Sequence, residues 1–222
     1  MIRIGLTAAA VMLAACGNST AQIEAVDNTQ VLAESSGATE SAIFAGGCFW
    51  CVESDFEKVP GVIEAVSGYT GGETTNPTYK QVSYSETGHY EAVKVTYDPA
   101  QVSYEELVDF FWTTVDPTDP SGQFCDKGSS YRTAVFATPE QLETAKESLE
   151  DVKATKTFSD PIVTPVLKAQ TFYDAEDYHQ DYYKKNKLKY SYYRNGCGRD
   201  ARVKELWGHK ADWDAFKASA VN

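Results

Sequence analysis

The chain has 222 residues, 42% hydrophobic and 13% aromatic, which suffices for one domain with a buried core. Thirty-two acidic against 20 basic side chains give a net charge of -12, which excludes a nucleic-acid binder, since that would carry a basic patch or stripe. No run of 18 apolar residues occurs, so no segment of the mature chain is expected to span a bilayer.

In chain order, residues 1–15 read as a signal peptide, with Arg3 as the positive end and an apolar stretch from Ile4 to Ala15. The stretch closes on Leu13-Ala14-Ala15-Cys16, which resembles the lipobox of bacterial lipoproteins. That resemblance implies cleavage before Cys16 and lipidation of Cys16. Gly17 stands where Asp would favour inner-membrane retention, so the expected location is the cell envelope, periplasm-facing, on the outer membrane. An ordinary secretory peptide with an incidental cysteine is the alternative. Residues 16–40 are polar, with four acidic residues and no Lys or Arg, and read as a tether reaching roughly 25–30 Å if flexible.

The domain is expected over 41–208. Ala42–Ala45 reads as a short buried strand ended by Gly46-Gly47, and Cys48–Val59 as a helix, since Phe49, Val52, Phe56 and Val59 share one stripe. Val62–Tyr69 is a second strand, with a Gly- and Pro-rich loop from Gly71 to Tyr79. Glu91–Tyr97 is a third strand, with Glu91, Val93, Val95 and Tyr97 on one face. Ser103 and Glu106 form a capping box for a helix to about Thr114. A polar loop, Asp116–Ser130, precedes a strand at Arg132–Phe136. Thr138-Pro139 opens a helix striped by Leu142, Ala145, Leu149 and Val152, and Ile162–Lys168 is the last clear strand. The Tyr- and Lys-rich tail from Glu176 carries short helices around Cys197, and 209–222 is an extension whose purpose the spacing does not reveal. This order predicts an α+β two-layer sandwich with a mixed sheet and a ferredoxin-like core.

Chemistry concentrates at Gly46-Gly47-Cys48-Phe49-Trp50-Cys51. A glycine pair after a strand permits a tight turn that places Cys48 at a helix start, where free N–H groups and the positive dipole end favour a thiolate nucleophile. A half-buried Cys packed beside two aromatics is the plainer alternative. Cys48 and Cys51 also form a C-x-x-C pair, which raises a thioredoxin-like dithiol oxidoreductase as a rival. Zinc would need a second pair or added His ligands, and His89, His179 and His209 lack ligand spacing, so no metal is expected. Glu91 on an apolar strand face would be desolvated and able to hold a proton, although a solvated strand-end charge fits the spacing as well.

The ordered motifs resemble the A-type methionine sulfoxide reductases. They are Gly47-Cys48-Phe49-Trp50 with Glu53; Gly68-Tyr69-Thr70-Gly71-Gly72; Asn76-Pro77-Thr78-Tyr79; Thr87-Gly88-His89-Tyr90-Glu91; Asp126-Lys127-Gly128-Ser129-Ser130-Tyr131-Arg132; and Tyr178-His179-Gln180. The resemblance implies reduction of methionine S-sulfoxide, free or in proteins, as repair of oxidative damage. It makes Cys48 the nucleophile, Glu91 the general acid, Tyr79 and Tyr131 hydroxyl donors to the sulfoxide oxygen, and Asp126 an acid ordering the polar side. Phe49 and Trp50 would cradle the S-methyl group. Attack would leave Cys48 as a sulfenic acid, which condenses with a second thiol. By resemblance Cys197 resolves it, with a thioredoxin-like dithiol as reductant and no bound cofactor, in a monomer. Cys51 and Cys125 depart from the commoner residues at their positions and stand as alternative resolving or relay thiols. A non-catalytic surface lipoprotein binding methionine-rich partners through Phe49 and Trp50 is a further rival.

Overall fold

The computed structural model describes residues 37–209 and 211–219. The signal peptide, the lipobox cysteine and the tether up to residue 36 lie outside the described residues.

Strand β1 (Glu40–Gly46) buries Ala42, Phe44 and Ala45, and only Gly47 and Cys48 separate it from helix α1 (Phe49–Phe56). Strand β2 (Val62–Thr70) returns along the sheet, and helix α2 (Tyr79–Tyr84) follows. Strand β3 (Tyr90–Tyr97) leads to helix α3 (Tyr104–Trp112), opened by the expected Ser103/Glu106 capping box. A hairpin of β4 (Gly122–Gln123) and β5 (Asp126–Lys127) and a 3-10 turn at Ser129–Tyr131 precede β6 (Thr133–Ala137). Then come α4 (Leu142–Thr155), β7 (Val166–Lys168) and β8 (Tyr173–Asp174). Helices α5 (Tyr182–Lys185), α6 (Lys187–Gly196), α7 (Arg199–Trp207) and α8 (Trp213–Ser219) complete the chain.

The six-stranded sheet runs β7-β6-β1-β3-β2-β8. Its centre, β6-β1-β3-β2, is antiparallel throughout, with α1 joining β1 to β2 and α3 joining β3 to β6. That is the βαββαβ arrangement of a ferredoxin-like core. β7 adds to β6 in parallel, which makes the sheet mixed, as expected. The core lies between sheet and helices: Phe44 stacks on Phe56 at 4.7 Å and on Phe111 at 5.2 Å, each buried ring contributing about 1.5–3 kcal/mol. In the C-terminal extension, α8 lies against α3, with Trp213 and Phe216 at 5.3 and 5.7 Å from Phe110.

Three local expectations change. The strand expected at Ile162–Lys168 begins only at Val166, because Pro165 cannot donate to a ladder and Val163 bonds instead to the Pro117 carbonyl. The expected loop from Gly71 stops at Thr78, whose side chain and Gln81 form a capping box for α2. The 116–130 loop contains the β4–β5 hairpin, two residues a side and too short for a period to show.

Candidate active site

The turn from β1 into α1 needs glycine. Gly47 sits at φ +81°, and a Cβ there would lie 2.5 Å from the Cβ of Gln123. The turn delivers Cys48 to the N-cap of α1, with Cys51 one turn further on. Both thiols are free, and both are buried, at 6% and 2% exposure.

Their ionisation differs from the expectation drawn from the helix start. Burial pushes the Cys48 thiol well above its usual value, and neighbouring Cys51 and Glu91 push the same way while Tyr193 opposes them. Cys51 is lowered to about 7, chiefly by the hydrogen bond from Cys48, with Arg199 and Arg194 helping against its own desolvation. The end of α1 offers only about half a charge, whereas Cys51 faces two guanidinium groups. The two thiols therefore titrate as a pair, and the first proton leaves from the Cys51 side. Any charge on Cys48 is thus shared with Cys51 across their hydrogen bond.

Glu91 lies opposite Tyr69 of β2 and is 2% exposed. Its Oε2 accepts the Phe49 amide at 3.1 Å, which fixes the carboxyl beside the Cys48 turn. Burial raises it to about 8, partly offset by the Phe49 bond and assisted by the charges of Asp126 and Cys51. A buried carboxyl that is neutral at neutral pH is a proton donor in waiting. The apolar-face reading of Glu91 holds.

Cys48, Phe49, Trp50, Tyr79, Glu91, Asp126, Tyr131 and Tyr193 line one cleft of about 70 Å³. All but Tyr193 are residues singled out in the sequence. The Tyr79 and Tyr131 hydroxyls are bonded to each other, and both phenols are held neutral, Tyr79 by burial and Glu91 and Tyr131 by the same causes. The Tyr79 amide is pinned by the Glu176 carboxylate at 2.9 Å. The Trp50 indole stacks on Tyr182 at 3.7 Å and donates from Nε1 to His179 Nδ1 at 3.1 Å. Asp126 on β5 has its carboxyl raised by burial and accepts the Tyr193 hydroxyl, which also bonds Cys48.

Cys197 is not free: it forms a disulfide with Cys125, with Cα atoms 4.9 Å apart. The free thiol beside Cys48 is Cys51. The Sγ atoms of Cys125 and Cys197 and the Asp126 carboxylate cluster within 4.8 Å, but the disulfide occupies both sulfurs as ligands. A larger hollow, about 440 Å³, is lined by Glu53, Glu57, Asp181 and Lys184 among others and has no cysteine in its lining.

Sequence reasoning missed Tyr193, Arg194 and Arg199. Arg194 bonds Asp55 at 2.7 Å and Arg199 bonds the Gly46 carbonyl at 3.0 Å, so α6 and α7 close over α1. Only the spacing of Tyr193, one helical turn before Cys197, could have hinted at this. The Tyr178-His179-Gln180 motif acts as a clamp: Gln180 bridges the Ser67 amide and carbonyl at 3.0 and 2.9 Å.

Residues 40–211 match the family described as peptide methionine sulfoxide reductase. This chain belongs to that family. It is 58% identical over 171 residues to peptide methionine sulfoxide reductase MsrA 2 of Caulobacter vibrioides, covering 77% of this chain and 86% of that one. It is 51% identical over 172 residues to MsrA of Bacillus subtilis, covering 77% and 97%. Among solved structures it resembles methionine sulfoxide reductase A of Corynebacterium diphtheriae (TM-score 0.62, 36% identity, 68% of this chain and 77% of that one). It also resembles Mxr1 from Saccharomyces cerevisiae in reduced form (TM-score 0.63, 32% identity, 67% and 86%). The chain is an oxidoreductase that reduces methionine sulfoxide by cysteine chemistry.

Proposed function

We propose that this reductase acts on the S epimer of methionine sulfoxide, free and in proteins, with Cys48 as the nucleophile. The carrying observation is the buried Glu91 carboxyl, pushed up to about 8 by burial and bonded to the Phe49 amide beside Cys48, in a cleft that also holds the Tyr79 and Tyr131 hydroxyls. Reduction of a sulfoxide needs a sulfur nucleophile and, at the same moment, a proton for an oxygen that is otherwise a hopeless leaving group. The Cys48 thiolate gives an electron pair to the sulfoxide sulfur while Glu91 protonates the oxygen, and Tyr79 and Tyr131 donate hydrogen bonds to it. The oxygen ends on Cys48 as sulfenic acid, and methionine leaves. Phe49 and Trp50 receive the S-methyl group. Asp126, through Tyr193, orders the polar side.

The sulfenic acid condenses with a second thiol of the chain, and a thioredoxin-like dithiol restores the enzyme. The chain works as a monomer held by a lipid on Cys16 at the periplasmic side of the bacterial outer membrane, where it repairs oxidised methionine. To test the reaction and its handedness, fully reduced enzyme is mixed with each epimer separately and methionine is measured over one turnover. One methionine per enzyme from the S epimer alone is expected; equal yields from both epimers would refute the stereochemistry, and none from either the reaction.

A further inference from the structure

Helices α5 and α6 carry a charge opposite to that of the chain. From Tyr182 to Arg199 there are six basic residues and no acidic one, within a net charge of -12. Two of the six are turned inward: Arg194 onto Asp55, and Arg199 onto the Gly46 carbonyl. Lys184 is paired with Glu57 and Asp181, and Lys185 reaches Asp181 only at 3.9 Å. Lys187 and Lys189 are exposed and have no ion-pair partner among the described residues.

Between those two lysines stands Leu188, 88% exposed, and one turn along the same face of α6 is Tyr192, 84% exposed. They are the two most exposed large apolar or aromatic side chains among the described residues. At the α5–α6 turn an open hollow of about 440 Å³ is lined by Lys184, Lys185, Asn186, Lys187, Leu188 and Lys189. An anionic group there meets several ammonium groups at once. The inward face of α6 is already committed, since Tyr190 is buried and Tyr193 lines the cleft beside Cys48.

We propose that this outward face of α5 and α6 docks on the anionic headgroups of a lipid bilayer. An exposed leucine and tyrosine ringed by lysines suits a membrane interface. The leucine enters the boundary, the tyrosine keeps its hydroxyl wet, and the lysine stems lie along the surface with their ammonium groups at the phosphates. Two further arguments favour a bilayer over an acidic protein. The proposed lipid on Cys16 stands about two dozen residues before β1, a length that reaches no more than roughly 85 Å even fully extended. A lipid anchor and a basic patch are also the paired signals that stable attachment uses. The rest of the chain is acidic and is repelled by anionic headgroups, so this face sets the orientation as well as the affinity. Tyr182 of α5 stacks on Trp50 and Tyr193 of α6 lines the cleft. Docking therefore holds the cleft beside the lipid, with oxidised methionines of membrane-bound proteins as the substrates within reach. The inference goes beyond the proposed reaction and rests on the proposed anchor only for the choice of a bilayer as occupant.

The test uses residues 17–222, which lack Cys16 and keep the compact unit Ser35–Asn222 whole, so the face is read without the anchor. Cosedimentation is measured with vesicles of phosphatidylcholine alone and of phosphatidylcholine with an equal part of phosphatidylglycerol. Binding to the mixed vesicles that high salt abolishes, and none to phosphatidylcholine alone, is expected. Lys187→Glu/Lys189→Glu should weaken it at least about tenfold, at about fivefold for each lysine removed. Leu188→Ser should weaken it as well, and both variants should reduce free methionine S-sulfoxide at the wild-type rate. Equal binding to both vesicle types, unchanged binding by the double variant, or no binding at all would overturn the proposal. Retention on immobilised poly-L-glutamate in place of vesicles would assign the face to an acidic protein instead. Mass spectrometry of the cellular protein showing an unmodified Cys16 would remove the anchor but not the vesicle result, so the two readings fail separately.

Discussion

Replacing Glu91 with Gln keeps the shape of the site and removes its proton. The amide oxygen of Gln can still accept the Phe49 N–H that Glu91 Oε2 accepts at 3.1 Å. The carboxyl is raised from 4.5 to about 8, mainly by burial, and at 1.36 kcal/mol per pH unit this corresponds to roughly 4–5 kcal/mol in favour of its neutral form. In the wild type, one-turnover methionine release should rise as the Cys48–Cys51 pair ionises near pH 7 and fall as Glu91 loses its proton above about pH 8, a bell with macroscopic limbs. Glu91→Gln should lower the rate by about 10²–10⁴, the usual worth of a positioned acid, and erase the falling limb near pH 8. Stability gives an independent reading. The folded state holds this proton more tightly than the unfolded chain, so the carboxyl's contribution is full below about pH 4.5 and is lost as pH rises through about 8. The variant should therefore gain in melting temperature relative to wild type between pH 5 and pH 9. A stopped-flow profile with an unchanged falling limb in Glu91→Gln would refute the acid role.

Cys51→Ser removes the thiol that shares the charge of Cys48, so the pH at which iodoacetamide modifies Cys48 should move up by more than one unit; an inflection still near 7 would contradict the shared thiolate. Gly47→Ala forces a left-handed alanine whose Cβ lies 2.5 Å from Gln123 Cβ, and it should cost about 2 kcal/mol or more, seen as a melting temperature lower by roughly 4–8 °C. A melt within a degree of wild type would show that the turn relaxes without glycine. Cys16→Ser should yield a soluble protein on cell fractionation, whereas persistent membrane association would count against a lipid anchor.

What the sequence made legible is what short-range periodicity and ordered motifs carry. The alternation of Glu91, Val93 and Val95 placed β3 and put the carboxyl on its buried face, and the Gly46-Gly47 turn put Cys48 at a helix start. Cleft residues from four separate motifs proved to meet in one place. The misses have physical reasons. Two-residue strands such as β4 and β5 show no period, and α2 buries only Val82, so its apolar stripe is silent. The charge on the thiol pair was misjudged because Arg194 and Arg199 arrive from more than 140 residues away in sequence to face Cys51. A helix start is a local feature; two guanidinium groups on α6 and α7 are tertiary ones. The Cys125–Cys197 bond lies in the same class, since cysteine spacing leaves the pairing open.

The account stands on the sulfur of Cys48. Fully reduced Cys48→Ser, mixed with methionine S-sulfoxide and followed for methionine over one turnover, should give none above the protein-free control while its circular dichroism matches wild type. Methionine at the wild-type rate from that variant would contradict the assignment of the nucleophile and every step that follows from it.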